Sequence, residues 1–239
     1  MKIRIIVPII STAFNQEVLK EGAQFAAPDV QLEVVNIQRG PASIESGFDE
    51  MLAAPAIVEE VVRAEKEGCD GVFIDCFGDP GVVAAREKVS IPVVGAFQPS
   101  ALTACALAGR WSVVTVLKNV VPMLRDLARR LGVESNIASV RDIDTPVLEL
   151  QDKQVFQKRL LAQIDRAARE DGAEAVILGC TGMIGVARWL QGEMAAAGHP
   201  VPVIDPTAAA LGYLQLEIRG GLSHSKTCYR SPPAKERRR

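Results

Sequence analysis

Val72-Phe73-Ile74-Asp75-Cys76-Phe77-Gly78-Asp79-Pro80-Gly81 and its echo Val176-Ile177-Leu178-Gly179-Cys180-Thr181-Gly182-Met183 decide how this chain is read. Each opens with a continuous apolar run, the mark of a strand buried on both faces of a parallel sheet. Each then passes through glycine into a segment with helical patterning. Both cysteines therefore fall at the carboxyl ends of strands, where open α/β sheets place their chemistry. Gly68, Val72, Cys76, Gly78, Gly81 and Val82 recur 104 positions later as Gly172, Val176, Cys180, Gly182, Gly185 and Val186. A gapless register of this kind marks a duplicated unit.

Working outward, Ile3 to Ile9 reads as a first strand, Glu17 to Phe25 as a helix with Leu19 and Ala23 on one face, and Leu32 to Ile37 as a second strand. A turn-rich loop, Arg39 to Gly47, precedes a helix through Ile57 to Ala64 that stops at Gly68. Pro80 to Lys88 reads as helix with its proline in the first turn, followed by a strand at Ile91 to Val94 and a helix from Ser100 to Ala108. A second series follows: strand Trp111 to Leu117, helix Pro122 to Leu131, a weaker strand near Asn136 to Val140, and the amphipathic helix Lys153 to Glu170. Strand Ala175 to Gly179, a helix after Cys180, strand Val201 to Ile204 and helix Ala208 to Ile218 complete it. Strands alternating with helices predict an α/β fold of two pseudosymmetric domains, each a mostly parallel sheet flanked by helices, with the active site in the cleft between them. The boundaries drawn are 1–97 plus 207–225 for the first domain, 98–206 for the second, and 226–239 as a tail.

Composition narrows the function. With 239 residues, 48% of them hydrophobic and 23% charged, the chain has material for a full core and none of the bias of a disordered protein. A formal net charge of −2 gives no reason to expect nucleic acid. The one basic block, Lys235-Glu236-Arg237-Arg238-Arg239, reads as a frayed end. No apolar run approaches the length of a membrane span, and the N-terminal apolar stretch is too short for a signal peptide. Cys69, Cys76, Cys105, Cys180 and Cys228 are odd in number and lack CxxC spacing, and only His199 and His224 could join them, so no zinc pattern forms. Free thiols in a reducing cytoplasm are the economical reading.

Cys76 and Cys180 stand apart because strand end, neighbouring glycine and duplication agree for both. Cys69, Cys105 and Cys228 have no counterpart 104 positions away and read as inert packing or tail residues. A thiol acts as base only as thiolate, and a helix N-terminus favours that form; each cysteine is expected at such a start. Gly78 and Gly182 would let backbone N–H groups approach an enolate oxygen. Two opposed thiols suit removal of a proton from one face of a carbon and its return on the other, with no cofactor or metal. A nucleophilic cysteine would want a histidine, but both histidines are expected to face solvent. Asp75 and Asp79 flank Cys76 and are placed to tune it, though Asp79, ahead of Pro80, reads first as a helix cap; Met183 and Trp189 read as core or rim residues.

Cys76-Phe77-Gly78-Asp79-Pro80-Gly81, Leu178-Gly179-Cys180-Thr181-Gly182-Met183 and Gly40-Pro41-Ala42-Ser43-Ile44-Glu45 together closely resemble the hydantoin racemase family, which includes allantoin racemases, within the aspartate/glutamate racemase superfamily. The resemblance implies cofactor-independent proton exchange at C5 of a 5-monosubstituted hydantoin, with Cys76 and Cys180 as the catalytic pair. It implies that Pro8, Ile44, Phe77 and Gly78 from one half, and Thr115, Val116, Thr181 and Gly182 from the other, shape the substrate pocket. Family members are often oligomers, so a homo-oligomer with a small-molecule substrate is expected. Two segments depart from the pattern. The Asn-Pro-Asn-type loop after the first strand is here Val7-Pro8-Ile9-Ile10-Ser11-Thr12, and Gly95-Ala96-Phe97-Gln98-Pro99 lacks the usual acidic character. Other chemistry of the superfamily stays open: amino-acid racemisation, maleate-type isomerisation, or arylmalonate-type decarboxylation, which needs only one cysteine. So does a non-catalytic small-molecule binding module.

Overall fold

The computed structural model describes residues 1–236; Arg237, Arg238 and Arg239 of the basic end lie outside the described residues. The chain runs β1 (Lys2–Val7), α1 (Asn15–Phe25), β2 (Gln31–Asn36), α2 (Gly47–Lys66), β3 (Gly71–Ile74), α3 (Val82–Lys88), β4 (Val93–Val94) and α4 (Phe97–Leu107). It continues through β5 (Trp111–Thr115), α5 (Val121–Leu131), β6 (Ile137–Asp142), α6 (Lys153–Glu170), β7 (Ala175–Leu178), α7 (Ala187–Ala196), β8 (Val203–Ile204) and α8 (Pro206–Arg219). Two four-stranded sheets result, ordered β2-β1-β3-β4 and β6-β5-β7-β8. Every pairing is parallel.

The duplication read from sequence is a duplication of topology. Ile74 pairs with Ile6 in the first sheet and Leu178 with Val114 in the second. Gly68 and Gly172 end α2 and α6 with φ of +75° and +70°, the left-handed conformation that glycine enters without steric cost. α4 packs on β7 and β8 of the second sheet, α8 on β3 and β4 of the first, and the two helices pack against each other. One buried apolar cluster consequently runs from Ile5, Phe73 and Val94 through Ala101 and Leu214 to Trp111 and Ile177, joining the two sheets. A second cluster, with Phe156, Leu160, Ile164 and Leu190, lies under the second sheet alone.

Several expected boundaries move, each for a physical reason. α2 begins ten residues before Ile57 because Ser46 caps it, accepting from Asp49 N–H at 3.2 Å while its hydroxyl donates to the Asp49 carboxylate at 2.8 Å. β1 ends at Val7, since Pro8 offers no N–H to a ladder. α1 is rotated from the predicted face: Val18, Glu21 and Gly22 point inward, while Leu19 and Ala23 are exposed. α3 starts only at Val82, not Pro80, because Asp79 (φ +51°) and Gly81 (φ +71°) turn the chain first. α4 starts at Phe97 because Asp79, from that same turn, accepts from Phe97 N–H at 2.9 Å and Gln98 N–H at 3.3 Å. Asp79 is a cap, then, but of a helix 18 residues further on.

The segment after α8 folds back on the first sheet. His224, expected in solvent, is partly buried, and its Nε2 accepts from Val93 N–H at 2.6 Å on edge strand β4. The Arg86 guanidinium donates to the Val93 carbonyl, Gln98 and the Tyr229 hydroxyl, and Lys226 donates to the carbonyls of Arg86 and Val89. His199 is exposed, as expected. Among the described residues no helix is long and apolar enough to cross a membrane.

Candidate active site

β3 and β7 deliver their cysteines by the same device. After each strand the ladder runs one step further, Asp75 N–H to the Ile6 carbonyl at 2.9 Å and Gly179 N–H to the Val114 carbonyl at 2.7 Å. The chain then leaves the sheet and closes a tight turn: Asp79 N–H donates to the Cys76 carbonyl at 3.2 Å, Met183 N–H to the Cys180 carbonyl at 3.1 Å. Five residues or more of turn separate each thiol from the next helix, which begins at Val82 or Ala187. The expectation that a helix N-terminus faces each sulfur is therefore incorrect. Backbone N–H groups of the turns take that place, with Gly182 N–H 3.4 Å from the Cys180 sulfur and Gly78 N–H directed at Cys76.

Both thiols line one pocket, together with Pro8, Ile44, Phe77, Gly78, Thr115, Val116, Thr181 and Gly182. The structure thus brings together all ten residues singled out from sequence. The rest of the wall is mostly aliphatic or aromatic, including Val7, Ile9, Phe14, Val120, Met123 and Leu124. Among the described residues no Lys, Arg or His lines it, and besides the thiols Asp75 is the one ionisable side chain there. Thr115 is fully buried and donates to the Gly179 carbonyl at 2.9 Å, bracing the turn that carries Cys180. The Thr181 hydroxyl donates to the Asp75 carbonyl at 3.1 Å, tying the second turn to the first across the two sheets.

Electrostatics reverse the sequence expectation of a thiolate. Burial pushes Cys180 from an ordinary 9.0 up to about 12; the Gly182 N–H opposes this, while Asp75 and Glu45 add to it. Burial likewise raises Cys76 well above its ordinary value, opposed by Gly78 N–H and reinforced by Glu50, Cys180 and Asp79. Taking charge out of water outweighs single backbone donors here, so burial biases both sulfurs toward the thiol form.

Carboxyl groups surround the thiols: Asp79, expected from its place beside Cys76 to tune that thiol, does raise it, and others join from distant segments. Asp75 is pushed up to about 7 by burial, against the Thr181 hydroxyl and with help from Asp205. Glu50, beside Gly78, rises to about 7 through burial and the Asp79 charge, partly offset by Arg130. A Cβ at Gly78 would collide with the Glu50 carboxyl, so this position accommodates glycine. Behind Asp75, Glu21 accepts from Gly185 N–H at 2.6 Å, and Asp205 caps α8 through Thr207 and Ala208. These acids come from four separate segments, and only the fold assembles them.

A family profile described as Asp/Glu/Hydantoin racemase matches residues 3–214, most of the chain. The chain belongs to the Asp/Glu/hydantoin racemase family. It is similar to a hydantoin racemase of Pseudomonas sp. (strain NS671), 38% identical with 99% of this chain and 94% of that one covered. A hydantoin racemase of Paenarthrobacter aurescens is 36% identical, with 99% of both chains covered. Among solved structures, allantoin racemase from Klebsiella pneumoniae superposes with a TM-score of 0.92 at 34% identity, covering 98% of this chain and 95% of that one. Membership of this family places the protein among the isomerases, as a racemase. The family's pairing of two parallel-sheet units is the architecture described above.

Proposed function

We propose that this racemase acts on 5-monosubstituted hydantoins, allantoin among them, with Cys76 and Cys180 as its acid–base pair and no cofactor. The observation that carries the reading is the pocket itself: two thiols from equivalent turns in a mostly apolar wall to which no described residue contributes a cationic side chain. Amino acids and diacids bring carboxylates, which such a wall leaves without a cationic partner; a neutral ring fits it better. In the reaction one cysteine, as thiolate, takes the C5 proton and becomes a thiol. The electron pair delocalises onto the adjacent carbonyl as an enolate. The other cysteine, a thiol, then gives its proton to the opposite face and becomes the thiolate. The opposite enantiomer reverses the roles.

A thiol of raised pKa is a stronger base once ionised, which suits a weakly acidic C–H, but fewer molecules carry the thiolate at neutral pH. Turnover should therefore climb with pH through the neutral and mildly alkaline range. The same reading divides the chain at 1–97 plus 207–225 and 98–206, with the site in the cleft between; the packing of α8 on the first sheet and α4 on the second supports that division. It takes the enzyme as a cytoplasmic homo-oligomer. Five free cysteines suit a reducing compartment, and exposed Phe48, Met51 and Leu52 on α2 offer apolar surface that a second copy would cover.

The test is incubation of each enantiomer of several 5-substituted hydantoins, and of allantoin, in D2O, beside a no-enzyme control. Optical rotation and loss of the C5 proton signal should move together, and both Cys76→Ser and Cys180→Ser should abolish racemisation. Racemisation that survives in either variant removes the two-thiol mechanism. No rate above background for any substrate removes the substrate assignment.

A further inference from the structure

We infer that the Asp75 carboxylate binds the substrate by accepting a hydrogen bond from the N–H attached to the stereocentre. The inference rests on the hydantoin reading above and adds a residue and a recognition rule to it. Three observations converge. Asp75 lines the thiol pocket and is 6% exposed. Among the described residues its buried Oδ1 has no hydrogen-bond partner, since the Thr181 hydroxyl donates to the Asp75 backbone carbonyl instead. Asp75 shares the pocket wall with Cys180, and a negative charge on it raises that thiol further. Buried polar atoms are overwhelmingly satisfied, so an orphan acceptor in the wall of a ligand pocket calls for a donor on the ligand.

The duplication sharpens the assignment. Position 75 in the first unit corresponds to position 179 in the second, which is glycine. A Cβ at Gly179 would lie 2.6 Å from Val113 Cγ1 and 3.0 Å from the Val114 carbonyl oxygen, so the second unit has no room for a side chain there. The pocket is symmetric in its thiols and asymmetric in its carboxyl. A substrate that must present either face of C5 to the thiols needs one fixed point of attachment, and a single carboxyl supplies it.

Chemistry selects the donor. A hydantoin ring carries N1–H on C5 and N3–H between two carbonyls. Negative charge develops on the carbonyl oxygen at C4, next to N3. A carboxylate at N3 would sit against that charge, whereas at N1 it lies on the far side of C5. Asp75 on N1–H therefore holds the ring without opposing the enolate. A pendant substrate carboxylate near Asp75 would meet like charge, so the same group discriminates against amino acids and diacids.

The experiment compares a 5-substituted hydantoin with its 1-methyl and 3-methyl derivatives, using wild-type enzyme, Asp75→Ala and the near-isosteric Asp75→Asn. For the parent and the 3-methyl compound, Asp75→Ala should raise KM roughly ten- to a hundredfold, the loss of one charge-assisted hydrogen bond, with kcat changed less. The 1-methyl compound should be poor for wild type and no poorer for Asp75→Ala. Asp75→Asn, which keeps an acceptor without the charge, should fall between. If wild type handles the 1-methyl derivative as well as the parent, or Asp75→Ala costs all three equally, the inference is overturned while the hydantoin reading stands. The wild-type comparison decides this even if Asp75→Ala fails to fold. If wild type racemises none of the three, both readings fall.

Discussion

Raising pH and following the reactivity of Cys180 gives a direct test of how burial governs this site. Burial pushes native Cys180 from its ordinary 9.0 up to about 12. At any pH below 9 that gap cuts the thiolate population about a thousandfold relative to the same cysteine in the unfolded chain. A more basic thiolate is also the better nucleophile. With a Brønsted slope of about 0.4–0.5 toward disulfides, three units restore roughly fifteen- to thirtyfold. The net expectation is that native Cys180 reacts about thirty- to sixtyfold more slowly with a small aromatic disulfide than Cys180 of the denatured protein. The assay quenches aliquots in acid and reads the mixed disulfide on the Cys180 peptide by mass spectrometry, from pH 7 to 10. Steric shielding could slow the reaction further but does not depend on pH. The logarithm of the native rate should climb by about one per pH unit across the whole range, while the denatured rate levels off near pH 9. A native rate that levels off below pH 9 would show that the backbone donors at Gly182 outweigh burial, and would refute the reasoning.

Two further outcomes follow from the packing around the site. Gly179→Ala places a methyl 2.6 Å from Val113 Cγ1 and 2.9 Å from Thr115 Cβ; the overpacking should cost about 1–3 kcal/mol in urea unfolding. Shifting the Cys180 turn should also lower kcat by on the order of a hundredfold, so unchanged kinetics would show that the turn does not fix the thiol. Glu21, buried beside Asp205, is held well above the ordinary 4.5 by that burial and by the neighbouring carboxyls. An acid raised on folding contributes stability below its unfolded value and loses it as pH rises toward its folded value, here by up to about 1.4 kcal/mol per unit. Glu21→Gln, which still accepts from Gly185 N–H, should flatten the decline in melting temperature above pH 6. An unchanged pH profile would assign that decline elsewhere.

Much of this site was legible in sequence because it is local and repeated. Apolar run, cysteine and glycine recur in register at Cys76 and Cys180, and period and spacing carry that information without knowledge of the fold. The turns between thiol and helix were not legible, since they depend on positive φ at Asp79, Gly81 and Gly185 rather than on composition. Asp79 read as a cap but not as the cap of α4, because its partners are distant in sequence. His224 looked like a tail residue until the fold placed it on Val93. The direction of the thiol pKa shift was misread for the same reason: burial is a property of the whole assembly, while a helix start is visible locally. Asp75 carried no signal as a binding group, because sequence cannot show that an atom lacks a partner.

The passage of the chain between its halves has a mechanical consequence. It crosses twice, once from β4 into α4 and once from β8 into α8. Each crossing is pinned by a buried carboxylate, Asp79 on the amides of Phe97 and Gln98, Asp205 on those of Thr207 and Ala208. α4 and α8 pack side by side, so displacing one half against the other would strain both caps together.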